Sequence, residues 1–279
     1  MLPFEIYDVF SDRAYAGNQL AVVYDGQGLR NDQMQTIALE FGFSETVFVL
    51  PPTAEGADYL ARIFTPAEEL PFAGHPTIGA ALAATRSGRV ALTDGKVVQE
   101  CAAGLMAVAV DGPTAKLTST AISVGEPIAV EVAAEAIGLG ADRVIGKPGA
   151  ASAGYSHNFV RVADGDVAAA TDHLGTLEKI YLFSFDPESN AVHARLFHLG
   201  VGEDPATGSA AVALGVHLVD QGLIAGDGVH VFEIAQGAEI DRPATLVGEV
   251  KVVGGEPVEV SVTGAAVKTA EGTLVTLPQ

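Results

Sequence analysis

An approximate repeat across the two halves of this 279-residue chain constrains its fold more than any other feature. Ala61-Arg62-Ile63-Phe64 is followed, thirteen residues after its Phe, by Thr77-Ile78-Gly79-Ala80-Ala81-Leu82-Ala83. Ala194-Arg195-Leu196-Phe197 is followed, ten residues after its Phe, by Thr207-Gly208-Ser209-Ala210-Ala211-Val212-Ala213. Each copy reads as a strand, a loop holding acid and proline, then an Ala-rich helix, and the copies lie about 130 residues apart. A helix that is small and apolar on all sides belongs in a core, where strands can approach it closely. The repeat therefore predicts two similar halves, each wrapped about one such helix. Chance is the competing explanation, because Ala-rich helices are common.

Local patterns fill in the rest. Strands are expected at 4–10, 20–24, 46–50 and 59–64, from alternation or β-branched runs. Between them Asn31 should cap a helix over 31–40, with Met34, Ile37, Ala38 and Phe41 at helical spacing and Gly42 ending it. A small-residue helix is expected at 76–84, and several short strands at 90–124. The second half predicts strands at 159–162, 179–186 and 191–197, a helix at 206–221, and a strand-rich tail over 229–277. Many short strands with few helices indicate an α+β protein rather than alternating βαβ units.

Composition narrows the function. Fifteen Lys and Arg against 35 Asp and Glu leave a formal charge of −20. That balance argues against nucleic acid and against an anionic membrane surface, since both need clustered basic residues. A single cysteine, Cys101, excludes an internal disulfide and a thiolate metal cluster. The seven His show no His-Glu-x-x-His pattern or close pair, so no zinc site is expected. Gly-x-Gly-x-x-Gly and Gly-x-Ser-x-Gly are absent, and nothing demands a cofactor. The N-terminus lacks the features of a secretory signal, and no apolar run reaches the ~18 residues needed to span a bilayer. A soluble, cytoplasmic protein is expected.

The candidate chemistry gathers around the two repeated helix starts. Free backbone N–H groups and the helix dipole favour an anion at such an end. Related by a pseudo-twofold, both starts could face one cleft and hold one carboxylate; for either loop alone ordinary capping is the better account, and only for the pair does a shared site match it. His75 lies in a fixed turn between Gly74 and Pro76, where a positive helix end should keep it neutral and able to exchange a proton near pH 7. Asp204, before Pro205, is its counterpart in the other half. Glu45 lies between Phe43 and the apolar 46–50 segment. Partial desolvation there would raise its pKa toward that of a general acid/base, although a solvated turn Glu fits the same residues.

Five stretches carry a resemblance to a known family: Gly17-Asn18-Gln19-Leu20-Ala21-Val22-Val23, Ser44-Glu45-Thr46-Val47-Phe48, Phe64-Thr65-Pro66, Glu69-Leu70-Pro71-Phe72-Ala73-Gly74-His75-Pro76-Thr77-Ile78-Gly79-Ala80-Ala81, and Gly202-Glu203-Asp204-Pro205-Ala206-Thr207-Gly208-Ser209-Ala210. In order and over most of the chain, they resemble the PhzF-like family of phenazine biosynthesis. The resemblance implies a diaminopimelate epimerase-like fold of two pseudo-symmetric halves, each a β-barrel-like sheet around a central helix. The halves would be 1–121, joined by the C-terminal strand 266–279, and 122–265, with the active site in the cleft between them. It also implies a homodimer, no cofactor, and isomerisation of a substrate like trans-2,3-dihydro-3-hydroxyanthranilate. The family's proton-moving Glu falls on Glu45 and its assisting His on His75, with Asp204 as the third catalytic residue. The family's Asn and Ser fall on Asn18 and Ser209, and the helix-start reading adds Gly74, Thr77, Thr207 and Gly208 as expected substrate-binding residues. Gln19 departs from the usual Pro of that stretch. Relatives of this fold that racemise amino acids use two cysteines, whereas neither helix-start loop here holds one. The alternatives are an epimerase of another amino-acid-like substrate and a non-catalytic carboxylate-binding protein.

Overall fold

The computed structural model describes residues 1–199 and 201–279, which divide into two compact units. The first comprises residues 1–117 and 263–279, the second residues 118–262.

In the first unit the strand Leu2–Val9 pairs antiparallel with Asn18–Tyr24 and with the C-terminal end of Glu256–Leu274. Asn18–Tyr24 pairs parallel with Glu45–Leu50, which pairs antiparallel with Tyr59–Phe64. Tyr59–Phe64 runs parallel to Lys96–Cys101, and Gly104–Asp111 continues the sheet antiparallel. These strands enclose the helix Gly74–Arg86, in which every residue from Gly74 to Ala84 is buried. Small side chains make this possible. A Cβ added at Gly79 would lie 2.8 Å from Val9 Cγ2 and closer still to Leu20 Cδ2. Helix Asn31–Phe41 packs Met34, Ile37 and Ala38 on the outer side of the sheet against Phe48 and Phe64.

The second unit repeats the scheme. Ile145–Ala153 pairs antiparallel with Ser156–Arg161, which runs parallel to Lys179–Asp186. Ala191–His198 follows antiparallel, Gly228–Gln236 parallel to it, and Ala244–Val253 antiparallel. The order antiparallel, parallel, antiparallel, parallel, antiparallel is thus the same in both units. Here the enclosed helix is Gly208–Asp220, buried from Ala210 to Leu218.

The expected α+β architecture of two like halves is what forms, with shifts at element ends. The first central helix begins two residues before 76, so His75 lies inside its first turn. The second begins at Gly208, leaving Ala206 and Thr207 outside. The helix at 31 is preceded by Arg30 as N-cap, not Asn31. Gln33 Oε1 accepts from the Arg30 backbone N–H at 3.0 Å, while Asn31 takes a hydrogen bond from Arg62. Gly42 ends that helix in the left-handed conformation, φ 66°, that glycine accepts without strain. Two short helices, Val130–Ala136 and Asp164–Ala169, and the strand Ile145–Ala153 were not expected. The helices are too short to display a period, and Gly146, Pro148 and Gly149 disguise the strand.

Candidate active site

Because the strands Asn18–Tyr24 and Glu45–Leu50 are parallel, their first residues emerge at the same edge of the first unit. The start of helix Gly74–Arg86 meets them there. His75 Nδ1 lies 3.4 Å from Glu45 Oε2 and 3.4 Å from Asn18 Nδ2. Ser44 Oγ donates to Asn18 Oδ1 at 3.3 Å, so Ser44, Asn18, His75 and Glu45 form one chain of polar contacts. Gly17 makes the approach possible. It adopts φ 65°, and an added Cβ there would strike the Val9 carbonyl oxygen.

Asn18 and His75 are buried, and the Glu45 side chain is 16% exposed. Burial is the main cause that pushes the His75 pKa down, to about 3; a hydrogen bond to the backbone of Gln19 opposes it only partly. His75 is therefore neutral at physiological pH. Burial, rather than the helix end, is the main cause, and the expected titration near pH 7 does not occur. A neutral imidazole can accept at Nδ1 from Asn18 Nδ2, according to its tautomer. Nε2 is buried without a hydrogen-bond partner.

In helix Gly74–Arg86, N-cap Ala73 supplies no capping side chain, no acid lies in the first turn, and Pro76 has no N–H. The N–H groups of Gly74 and His75 have no partner within the helix. Thr77, expected to bind substrate, is fully buried. Its hydroxyl donates to the Ala73 carbonyl at 2.8 Å and accepts from Gln99 Nε2 at 3.0 Å.

In the second unit Asp204 closes the short strand Gly202–Asp204, one turn before the helix Gly208–Asp220. Its carboxylate accepts from Thr207 Oγ1 at 2.5 Å, and its carbonyl accepts from Gln236 Nε2 at 2.8 Å. Thr207 and Gln236 are buried and mutually bonded, so Thr207 holds Asp204 in place. Gly208 and Ser209 open the helix, again without a capping side chain or an acid in the first turn. Ser209 Oγ lies 2.9 Å from Nε2 of His157. His157 is buried and kept neutral, its pKa pushed well below the usual range first by burial and then by the nearby Lys179 charge.

His157 was not among the residues expected from sequence. It lies near the head of the strand Ser156–Arg161, which corresponds to Asn18–Tyr24 of the first unit, and only the strand pairing reveals that correspondence. Among the described residues no group of three or more His, Cys, Asp or Glu could hold a metal, and no helix is long and apolar enough to cross a membrane. Cys101, buried at the end of Lys96–Cys101, belongs to neither helix start.

Two small-residue helices, each sheathed in its own strands and each opening without a capping side chain, are the features of a diaminopimelate epimerase-like fold. The sequence pattern of phenazine biosynthesis-like proteins matches residues 7–272, and the chain belongs to that family. It is 34% identical to the trans-2,3-dihydro-3-hydroxyanthranilate isomerase of Pseudomonas fluorescens, over 98% of this chain and 99% of that one. The crystal structure of a PhzF-family phenazine biosynthesis protein from Bacillus anthracis superposes with a TM-score of 0.87 at 25% identity, covering 99% of both chains. A predicted epimerase from Pseudomonas aeruginosa superposes with a TM-score of 0.81 at 30% identity, over 99% of this chain and all of the other.

Proposed function

We propose that this protein is a cofactor-independent isomerase that shifts a proton within a small, cyclic amino carboxylate of the trans-2,3-dihydro-3-hydroxyanthranilate kind. The observation that carries this reading is the Glu45 carboxylate, mostly buried and 3.4 Å from a neutral His75, at a helix start without a capping side chain. Glu45 removes a proton from an acidic carbon and returns it elsewhere on the same face. His75 and Asn18 orient Glu45 and meet the charge that develops. His75 can do this because an uncharged imidazole neither neutralises the base permanently nor competes with it for the proton. Gly74 contributes a backbone donor, and Thr77 fixes the helix start that presents it.

In the second unit Asp204 is assigned to a polar group of a ligand, with Thr207 holding its carboxylate. Gly208 and Ser209 are assigned to the substrate's carboxylate, which suits the uncapped start of Gly208–Asp220. A positioned general acid/base of this kind contributes about 10²–10⁴-fold.

The test is a screen of cyclic and acyclic amino acids in heavy water with wild type and Glu45→Gln. Wild type is expected to place deuterium on carbon of the turned-over substrate, and Glu45→Gln to fold normally without doing so. Undiminished deuterium uptake by that variant would remove Glu45 from the mechanism.

A further inference from the structure

Among the described residues, Lys179 is a buried cation of the second unit that no carboxylate pairs with. It opens the strand Lys179–Asp186, as Glu45 opens the corresponding strand of the first unit, and each strand runs parallel to the one before it. Its side chain is nearly buried, with the residue 8% exposed. A buried ammonium is costly unless an anion or a set of acceptors compensates it. In this acidic chain, with 35 Asp and Glu, no carboxylate among the described residues pairs with it. Its nitrogen instead lies 3.7 Å from the ring centroid of Tyr155. Arg195, the comparably buried cation of the same unit, is by contrast clamped by Glu203.

The surroundings of Lys179 lead to the helix start. Tyr155 packs edge-on against His157 at 5.3 Å between centroids, and His157 Nε2 meets Ser209 Oγ at 2.9 Å. His157 Nδ1, in a residue 2% exposed, has no hydrogen-bond partner. One short stretch of the second unit therefore holds an uncompensated ammonium, an unpartnered buried imidazole nitrogen and a helix start with neither cap nor acid. These are complementary to a single anionic guest.

We propose that Lys179 is the counter-charge for the substrate's carboxylate, and that with Ser209 and His157 it forms an anion subsite that selects acids over their neutral analogues. This deepens the assignment of Gly208 and Ser209 to the carboxylate and rests on that reading. His157 acts as a positioning residue. Neutral and fixed, it orients the Ser209 hydroxyl without adding a second charge.

The test is calorimetric titration of wild type, Lys179→Met and Lys179→Arg with anthranilate and with its neutral amide, 2-aminobenzamide. Wild type is expected to bind the acid at least about tenfold more tightly than the amide. Lys179→Met should weaken anthranilate about 10- to 100-fold, the loss expected when a charged partner is removed, and leave the amide within about twofold. Lys179→Arg should restore the preference for the acid. Equal or undetectable binding of the two compounds by wild type overturns the proposal, as does a Lys179→Met protein of native circular dichroism that still prefers the acid. Should Lys179→Met fail to fold, the wild-type preference and its retention in Lys179→Arg decide the matter. Failure of the proton-transfer reading is separable: an acid preference dependent on Lys179, with no deuterium entering any substrate, leaves the subsite standing and removes the reaction.

Discussion

The two units share a scaffold but not a chemistry. Arg62 is held by both carboxylate oxygens of Glu69 at 2.8 and 2.6 Å, and lies 5.2 Å from the ring centroid of Phe64. Arg195 is held by both oxygens of Glu203 at the same two distances, and lies 4.8 Å from that of Phe197. Tyr59 donates to Gln99, whose amide donates to Thr77; Tyr181 donates to Gln236, whose amide donates to Thr207. Both chains fasten a threonine beside the start of a buried helix. Where the strands begin, the likeness ends: Asn18 and Glu45 in one unit, His157 and Lys179 in the other. The arginine clamp and the glutamine beside each threonine are kept in duplicate, although Tyr59 and Tyr181 come from non-corresponding strands, and the residues at the strand starts differ.

The largest effect should come from the divergent set. Glu45→Gln is expected to lower turnover about 10²–10⁴-fold with little change in the urea midpoint. Ser209→Ala, at the other helix start, should act chiefly through a raised KM, because binding of a carboxylate contributes similarly to ground and transition states. Steady-state kinetics on a substrate found in the deuterium screen separate the two. A Ser209→Ala protein that lost kcat as severely as Glu45→Gln would erase the division between the units.

The shared set predicts stability instead. The Arg62 and Glu69 side chains are 25% and 32% exposed, whereas those of Arg195 and Glu203 are 9% and 12% exposed. Arg195 also donates to the carbonyls of Val167 and Ala170. Arg195→Met would strand a buried carboxylate and two carbonyls, at a cost of about 3–5 kcal/mol. Arg62→Met removes a half-solvated pair, at a cost of about 1 kcal/mol. Urea denaturation of both variants measures the difference, and equal losses would show that burial does not distinguish the clamps.

Much of this was legible in the residues. The Ala-Arg-x-Phe strands and Ala-rich helices stated the duplication, because a helix without large side chains can only be a core element. Glu45 and His75 could be chosen from neighbouring glycine, proline and apolar residues. What the sequence could not show was the register that brings distant strand starts together. His157 looked like one more residue before an apolar run, and Lys179 like an ordinary strand residue, because pairing across parallel strands leaves no local signal. The pKa of His75 was misjudged for a related reason. Its helix position is local, but the burial that governs it comes from strands elsewhere in the chain.

The helices give a sharper comparison at a single methyl group. At Gly79 an added Cβ would collide with Val9 and Leu20, both fully buried. At Gly215 it would lie 3.2 Å from Val250 and 3.3 Å from Val260, tight contacts that small shifts relieve. Gly79→Ala is therefore expected to cost about 1–3 kcal/mol through overpacking. Gly215→Ala should be nearly neutral, because the backbone entropy gained in a helix, up to about 1 kcal/mol, offsets the crowding. Thermal melts of the pair test whether the first barrel grips its helix more closely than the second.

The smallest expected effect is a slope. His217, inside the second helix, stacks on Phe159 at 5.0 Å, and burial is the main cause that holds its pKa at about 4. In the unfolded chain the same imidazole titrates near 6.5. Below that pH the unfolded state takes up a proton that the folded state refuses until about pH 4, so stability is fully present above 6.5 and declines as the pH falls through this window. For His217 alone the loss between pH 7 and 5.5 should be about 1 kcal/mol. His75 and His157 add losses of the same sign, because their folded pKa values are also depressed. His217→Phe removes one of the three contributions, so its urea midpoint should fall less steeply from pH 7 to 5.5 than that of wild type. An unchanged slope would mean that His217 is already protonated in the folded protein. Burial in the second unit would then fail to do for His217 what the structure assigns to burial at His75.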